Sequence, residues 1–296
     1  MCKVSDCFRI AFIIVFNVFL FLSTAQALSI HSKKTSEASR FLKPLSPEEA
    51  NAQIVLLQSQ QQIESCKILF DFVHRTEGNV QATKTQGVLL IDSKDQQILK
   101  RLFLINEQGE VLIDYIFHEG DTSQVWKRVG SHGTFSELED EELFLPLFEG
   151  ILFRPVDVLM PYIHWGKYTY EGPKAYGINS VVHNYLFSAE NKPSFLSQGI
   201  LSVRLSIDSK YNSVRKIEYL NETEVLNQLQ ISGVKKFESL WIISRLVFKE
   251  KNNKTIFRVS DAAIFTTDNR SLFFNPSYKE NISKDLFFLM NHKHIF

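Results

Sequence analysis

The sequence predicts a mainly β protein with a few helices (α+β), about twelve antiparallel strands with one helix in front of them and one in the middle. Three observations carry this. From Cys66 onward, runs rich in Val, Ile, Leu and Phe recur, separated by Gly, Asn, Asp or Lys. The links between them are short, as at Asn106-Glu107-Gln108-Gly109-Glu110 and Ser93-Lys94-Asp95, and links of that length join antiparallel neighbours. Phenylalanine is abundant, 25 residues against 12 glycines, which implies a large aromatic interior, either a dense core or the lining of an apolar cavity.

The chain opens with Lys3 and Arg9, then an apolar run from Ile10 to Leu22 interrupted by Asn17, then Ala25-Gln26-Ala27. A basic start, a short greasy middle and a small-x-small ending mark a secretory signal peptide, so residues 1–27 are expected to leave by cleavage after Ala27. The run is marginal for a bilayer span of about 20 apolar residues, and later apolar stretches are all broken by charge. Retention of the leader as an N-terminal anchor is the alternative. Cys2 and Cys7 precede the run, so the lipid-attachment pattern of an exported lipoprotein is absent. Cleavage would leave Cys66 alone, without a partner for an internal disulfide; its strand-forming neighbours give it a buried apolar role.

Residues 28–45, rich in Ser and Lys, read as a flexible lead-in. Ser46-Pro47-Glu48-Glu49 then supplies a capping serine, proline at the first helical position and glutamate three residues after the cap. Ala50, Ile54 and Leu57 form a narrow apolar stripe on a helix that runs to about Glu64. A first strand series follows over 66–75, 82–92, 97–106, 110–119 and 122–129, and a second over 166–172, 176–188, 199–208, 213–221, 225–237, 239–250 and 254–265. Leu201, Val203, Leu205 and Ile207 alternate with Ser202, Arg204, Ser206 and Asp208, one buried face and one wet face. Val88 to Ile91, Leu102 to Ile105 and Val111 to Ile113 are apolar on both faces and need cover on both sides.

Between the series lies an interruption near 143–165. Pro155 opens a helix there, and Val156, Leu159, Met160 and Ile163 fall at i, i+3, i+4 and i+7, with Asp157 in the first turn. That greasy edge suits a lid or plug over the sheet. Leu286, Phe287, Leu289 and Met290 suggest a last short helix in 282–296. No repeat and no linker divides residues 46–296, which read as one domain.

Composition and motifs exclude several functions. With 33 basic and 33 acidic residues the chain lacks the basic surface that nucleic acid demands. There is no nucleophile elbow, no zinc-protease helix motif, no phosphate loop and no Cys-x-x-Cys, so the expectation is a non-enzyme without cofactor or metal. Ser131 and His132 are adjacent and point apart on an extended backbone, so Gly130 to Gly133 reads as a turn. His118-Glu119-Gly120-Asp121 and His292-Lys293-His294 fall short of a metal site. Glu137 to Glu142 reads as a solvated acidic loop, or as a docking patch for a basic partner.

The layout resembles the LolA-like superfamily, the outer-membrane lipoprotein-sorting proteins of bacteria. The resemblance rests on element order and on two stretches: Pro146-Leu147-Phe148-Glu149-Gly150-Ile151-Leu152-Phe153-Arg154-Pro155-Val156-Asp157-Val158-Leu159, and Ser239-Leu240-Trp241-Ile242-Ile243. Val158 stands where that family usually has leucine after the aspartate. The resemblance covers roughly 46–265. It implies a single open antiparallel half-barrel of about 11–12 strands whose apolar concave face is lidded by helices and holds lipid or lipoprotein acyl chains in the periplasm. The lid candidates are Val156, Leu159, Met160 and Ile163, and the lining candidates Phe103, Ile113 and Phe117. Neither Arg75, Arg101 nor Arg154 can be matched to the basic residue that such carriers place near the cavity. The implied partners are acyl chains and envelope membrane proteins, and the chain is expected to be a monomer. The alternative is a secreted or envelope-stress-sensing interaction module of the same fold with a packed core. N-terminal sequencing of the exported protein is expected to begin at Leu28; a sequence starting upstream would mark a retained leader.

Overall fold

The computed structural model describes residues 12–13, 42–59, 65–76, 83–94, 97–119, 123–177, 180–237, 240–264 and 273–277. Most of the expected leader and lead-in, the helix end after Ser59 and the expected helix in 282–296 lie outside the described residues. Helix α1 (Pro47–Ser59) starts as its sequence dictates. Ser46 Oγ accepts from Glu49 N–H at 3.2 Å, and the Glu49 carboxylate accepts from Ser46 N–H at 2.8 Å, a reciprocal cap. Ala50, Ile54 and Leu57 are the buried positions of this helix.

The strands are β1 (Phe12–Ile13), β2 (Cys66–Arg75), β3 (Thr83–Lys94), β4 (Gln97–Ile105), β5 (Val111–Glu119), β6 (Gln124–Val129), β7 (Ser136–Glu137), β8 (Tyr168–Tyr176), β9 (Ser180–Ser188), β10 (Ser202–Asp208), β11 (Val214–Leu220), β12 (Val225–Phe237), β13 (Leu240–Glu250) and β14 (Asn253–Ile264). They form one sheet in the order β7-β6-β5-β4-β3-β2-β14-β13-β12-β11-β10-β9-β8, with β1 off this path and parallel to Trp241 and Ile242 of β13. The path has thirteen antiparallel strands and does not close. Its strand beyond the expected twelve is β7, two residues at the edge. The hairpins behave as read: Asn106 N–H bonds Glu110 O at 3.0 Å around Gly109, whose φ of 81° needs a glycine. Register shifts in the β4–β5, β8–β9, β10–β11, β11–β12, β12–β13 and β2–β14 pairs bend the strands, as bulges do.

Because the ladder is antiparallel, paired residues share a face, and two cores separate by parity. The inner face gathers Phe70, Phe72, Leu89, Leu102, Leu104, Tyr115, Phe117, Leu205, Tyr219 and Phe257 against the helices. On the outer face Val88, Leu90, Phe103, Ile105 and Val111 pack under Phe274. The strands apolar on both sides are thus covered on both sides. Phe103 is a correction: as a neighbour of Val88 and Asp114 it lies outside, not on the face of Ile113 and Phe117. Also outside, Asp114 is fully buried between Arg101 (2.7 Å) and Arg128 (2.6 Å), and Arg101 donates to Phe273 O.

The alternation in β10 holds only in part. Val203, Leu205 and Ile207 are buried, but Leu201 is 38% exposed, while Ser206 and Asp208 are buried with partners Asn184 and Arg215. Short helix α3 (Pro193–Ser197), which the sequence reading missed, connects β9 to β10 and presents buried Phe195. Cys66 is buried, and burial pushes its thiol well above the usual range.

Gly87 lets two layers meet. A Cβ there would overlap the Phe70 ring and sit 2.7 Å from Phe103 O. Gly87→Ala is therefore expected to destabilise the fold by about 1–3 kcal/mol, read as a lower urea midpoint at unchanged slope.

Candidate functional site

The segment from β7 to β8 leaves one edge of the sheet and enters the other. It carries a 3-10 turn at Glu142–Phe144, helix α2 (Pro155–Leu159) and a second 3-10 turn at Pro161–His164. The expected continuous helix is a correction: Met160 sits in the left-handed region at φ 49°, so the helix breaks there. Pro161 is the cause, since proline disfavours the α conformation in the residue before it and brings no N–H to the ladder.

Despite the break, Val156, Leu159, Met160 and Ile163 are all buried in the inner core, as are Ile113 and Phe117. Phe153 sits at the centre of this core, with ring centroids 5.1 Å from Phe72, 5.6 Å from Phe248 and 6.3 Å from Phe257. Side chains of the sheet and of α1 fasten the crossing segment by its backbone. Tyr115 Oη donates to Leu147 O at 2.9 Å, Lys100 Nζ to Val158 O at 3.1 Å and Gln58 Nε2 to Ile163 O at 2.8 Å; Thr255 Oγ1 accepts from Leu152 N–H at 2.9 Å. Burial pushes the Tyr115 hydroxyl pKa up, with Glu142 adding to it, so the hydroxyl stays a donor.

A charged knot locks the start of α2. Asp157 is fully buried and accepts from Arg154 N–H, Nε and Nη2, each at 3.0 Å, and from Tyr219 Oη at 2.6 Å. The guanidinium lies over the Tyr219 ring at 4.7 Å and the Phe248 ring at 5.2 Å. Burial works against the charge on Arg154, yet the Asp157 charge and hydrogen bond, with Tyr219 and Glu250 adding to them, raise its pKa further. Burial also pushes the Tyr162 and Tyr219 hydroxyls well up, with Asp157 adding to it.

Of the arginines left unmatched in the sequence, Arg154 lies in this knot and Arg101 on the outer face, while Arg75 is exposed. The basic group beneath α2 on the sheet is Lys100, which the sequence reading missed. It is fully buried, bonded to Val158 O and ion-paired with Glu119. Its signal was available: Lys100 shares strand parity with Ile98, Leu102 and Leu104, an isolated charge on an apolar stripe.

At one end of the β3–β4 pair the register leaves a notch. β4 ends with Ile105 opposite Gln86, so Thr83, Lys84 and Thr85 of β3 pair only with β2 among the described residues. A cavity of about 510 Å³ lies at the gap, with Ile105, Leu112 and Phe148 as the apolar part of its lining. Among the described residues no group of three His, Cys, Asp or Glu side chains could hold a metal, and no helix is long and apolar enough to cross a membrane.

A non-closing antiparallel sheet with a helical crossing on its inner face is a half-barrel. No family model matches the sequence, and no curated protein matches it. Solved structures do match. A DUF1329 family protein from Desulfovibrio piger gives a TM-score of 0.65 at 9% identity, covering 80% of this chain and all (100%) of that one. A putative outer membrane lipoprotein-sorting protein domain from Vibrio parahaemolyticus gives 0.64 at 11%, covering 77% and 97%. A LolA superfamily protein from Nitrosomonas europaea gives 0.50 at 8%, covering 71% and 90%. The chain has the LolA-like fold, as its layout indicated.

Removing the Asp157 carboxylate leaves the Arg154 charge buried without its ion-pair partner, with Asn227 Oδ1 at 3.4 Å as its remaining acceptor among the described residues. Asp157→Ala is expected to cost about 3–5 kcal/mol in urea unfolding, whereas Tyr219→Phe, which deletes one donor, should cost about 1 kcal/mol.

Proposed function

We propose that residues 46–296 act as one unit, a non-enzymatic periplasmic carrier that binds lipid or lipoprotein acyl chains on the inner face. The observation that carries this reading is the crossing segment itself. Its apolar edge is buried on a face rich in aromatic side chains, and it is held there by hydrogen bonds to its backbone together with the Arg154–Asp157–Tyr219 knot. Such a segment can be exchanged for a ligand of equal apolar surface. Burial of Val156, Val158, Leu159, Met160 and Ile163 is worth about 8–15 kcal/mol in all, and a sixteen-carbon acyl chain gains about 12 kcal/mol on full burial. The apolar terms are similar, so a chain entering as the lid lifts offsets the lost burial, and the hydrogen bonds that fasten the segment set the remaining cost of opening. Likeness to a putative lipoprotein-sorting domain supports the reading at the level of fold.

The second reading is an envelope interaction module with a permanently packed core. It is favoured by Phe153, which fills the centre of the inner face in this conformation. The two readings separate by titration with a fluorescent fatty acid. The carrier should show saturable binding, and Lys100→Met combined with Glu119→Gln, which removes the bond to Val158 O without leaving a buried carboxylate lacking its counter-charge, should tighten it by about threefold to tenfold because the closed apo form loses a bond worth about 1 kcal/mol. No saturable binding, together with no co-purifying lipid by mass spectrometry, would leave the packed-core module.

A further inference from the structure

The notch beside Phe148 has a chemistry different from the inner core it adjoins. Ile105, Leu112 and Phe148 line it beside Thr83, Thr85, Gln86 and Gln108, and none of these four polar side chains makes a hydrogen bond within the described residues. The edge of β3 adds backbone groups, since Thr83 to Thr85 have no partner on the β4 side among the described residues. A half-open hollow of this size, with one aromatic ring and several uncommitted donors and acceptors, suits a small polar moiety rather than more hydrocarbon. Its charge is equally telling. The cation at the rim, Lys84, is already held by Asp71 at 3.2 Å, and Glu107 stands opposite, so an anionic group meets repulsion without a free counter-charge.

Thr85 pairs with Phe72 and therefore points to the inner face, while Gln86 points outward, so the notch connects the two. Phe148 lines the notch and also packs against the inner core. A ligand seated there can extend a tail directly under the crossing segment.

We propose that the notch binds a neutral, hydroxyl-rich head group, a sugar or polyol, of an amphiphile whose acyl tail lies on the inner face. The placement of the tail rests on the carrier reading; the head-group site does not. Such a site selects by head group, which contacts to the hydrocarbon tail do not read.

The test uses the mature full-length chain and isothermal titration with dodecyl maltoside, dodecylphosphocholine and sodium dodecanoate, all below their micelle thresholds, and with maltose alone. Dodecyl maltoside is expected to bind about tenfold tighter than dodecylphosphocholine. Gln86→Ala/Gln108→Ala, both side chains being exposed, should bring the two within about twofold while leaving dodecanoate binding unchanged. Equal binding of the two detergents by the unaltered protein, with dodecanoate bound, overturns the head-group site and leaves the carrier standing. Maltose bound in the notch without dodecanoate binding keeps the site, identifies a free saccharide as its ligand and removes the carrier. A preference that survives the double substitution also overturns the site.

Discussion

Everything on the inner face follows from one topological constraint: the two free edges of the sheet, β7 and β8, are consecutive in the chain. The connection between them must cross from edge to edge, and the short path lies over the concave side. A segment forced across an apolar face has to be apolar beneath and satisfied along its backbone. Both conditions are met here, by the buried side chains of Val156 to Ile163 and by donors placed on β4, β5 and α1 under the exposed carbonyls. The Arg154–Asp157–Tyr219 knot fixes where the crossing turns into helix, so the position of α2 is set by polar geometry and its depth by packing.

The same constraint explains why the first meander is built differently from the second. Strands β3 to β5 carry hydrophobic residues on both faces and bury the Arg101–Asp114–Arg128 cluster outside, beneath Phe135, Phe273 and Phe274. The outer side of β8 to β11 is instead a ladder of alternating charge: Glu171, Arg204, Glu218 and Lys216 pair in sequence at 2.6, 3.4 and 2.6 Å. These partly exposed pairs contribute little to stability each, but they keep the outer face wet and discourage a second layer.

Much of this was legible in the sequence because it depends on period and on caps. The α1 start, the hairpin at Gly109, the two series of strands and the buried stripe at 156, 159, 160 and 163 each follow from a pattern within about ten residues. What was not legible depends on parity and on distant neighbours. Phe103 reads the same as Phe117 in a run apolar on both faces, and only the register separates them. Pro161 interrupts the helix that the spacing across it predicts, because it forces Met160 out of the helical conformation. The role of Lys100 required knowing that the segment 58 residues onward lies above it. The notch arises from unequal strand lengths across β3 and β4, which no local pattern encodes.

The two-layered side and the single-layered side differ in stiffness. Where Phe274 and its neighbours sandwich β3 to β5, any change of curvature must shear two packed surfaces at once, and close-packed interiors resist that. On the side of β8 to β11, bending disturbs one core, a row of partly exposed ion pairs and the Ser206–Asn184 and Asp208–Arg215 contacts, with no second apolar layer among the described residues. The half-barrel is thus stiff along one flank and more compliant along the other, so a change in its curvature is taken up mainly on the side of β8 to β11.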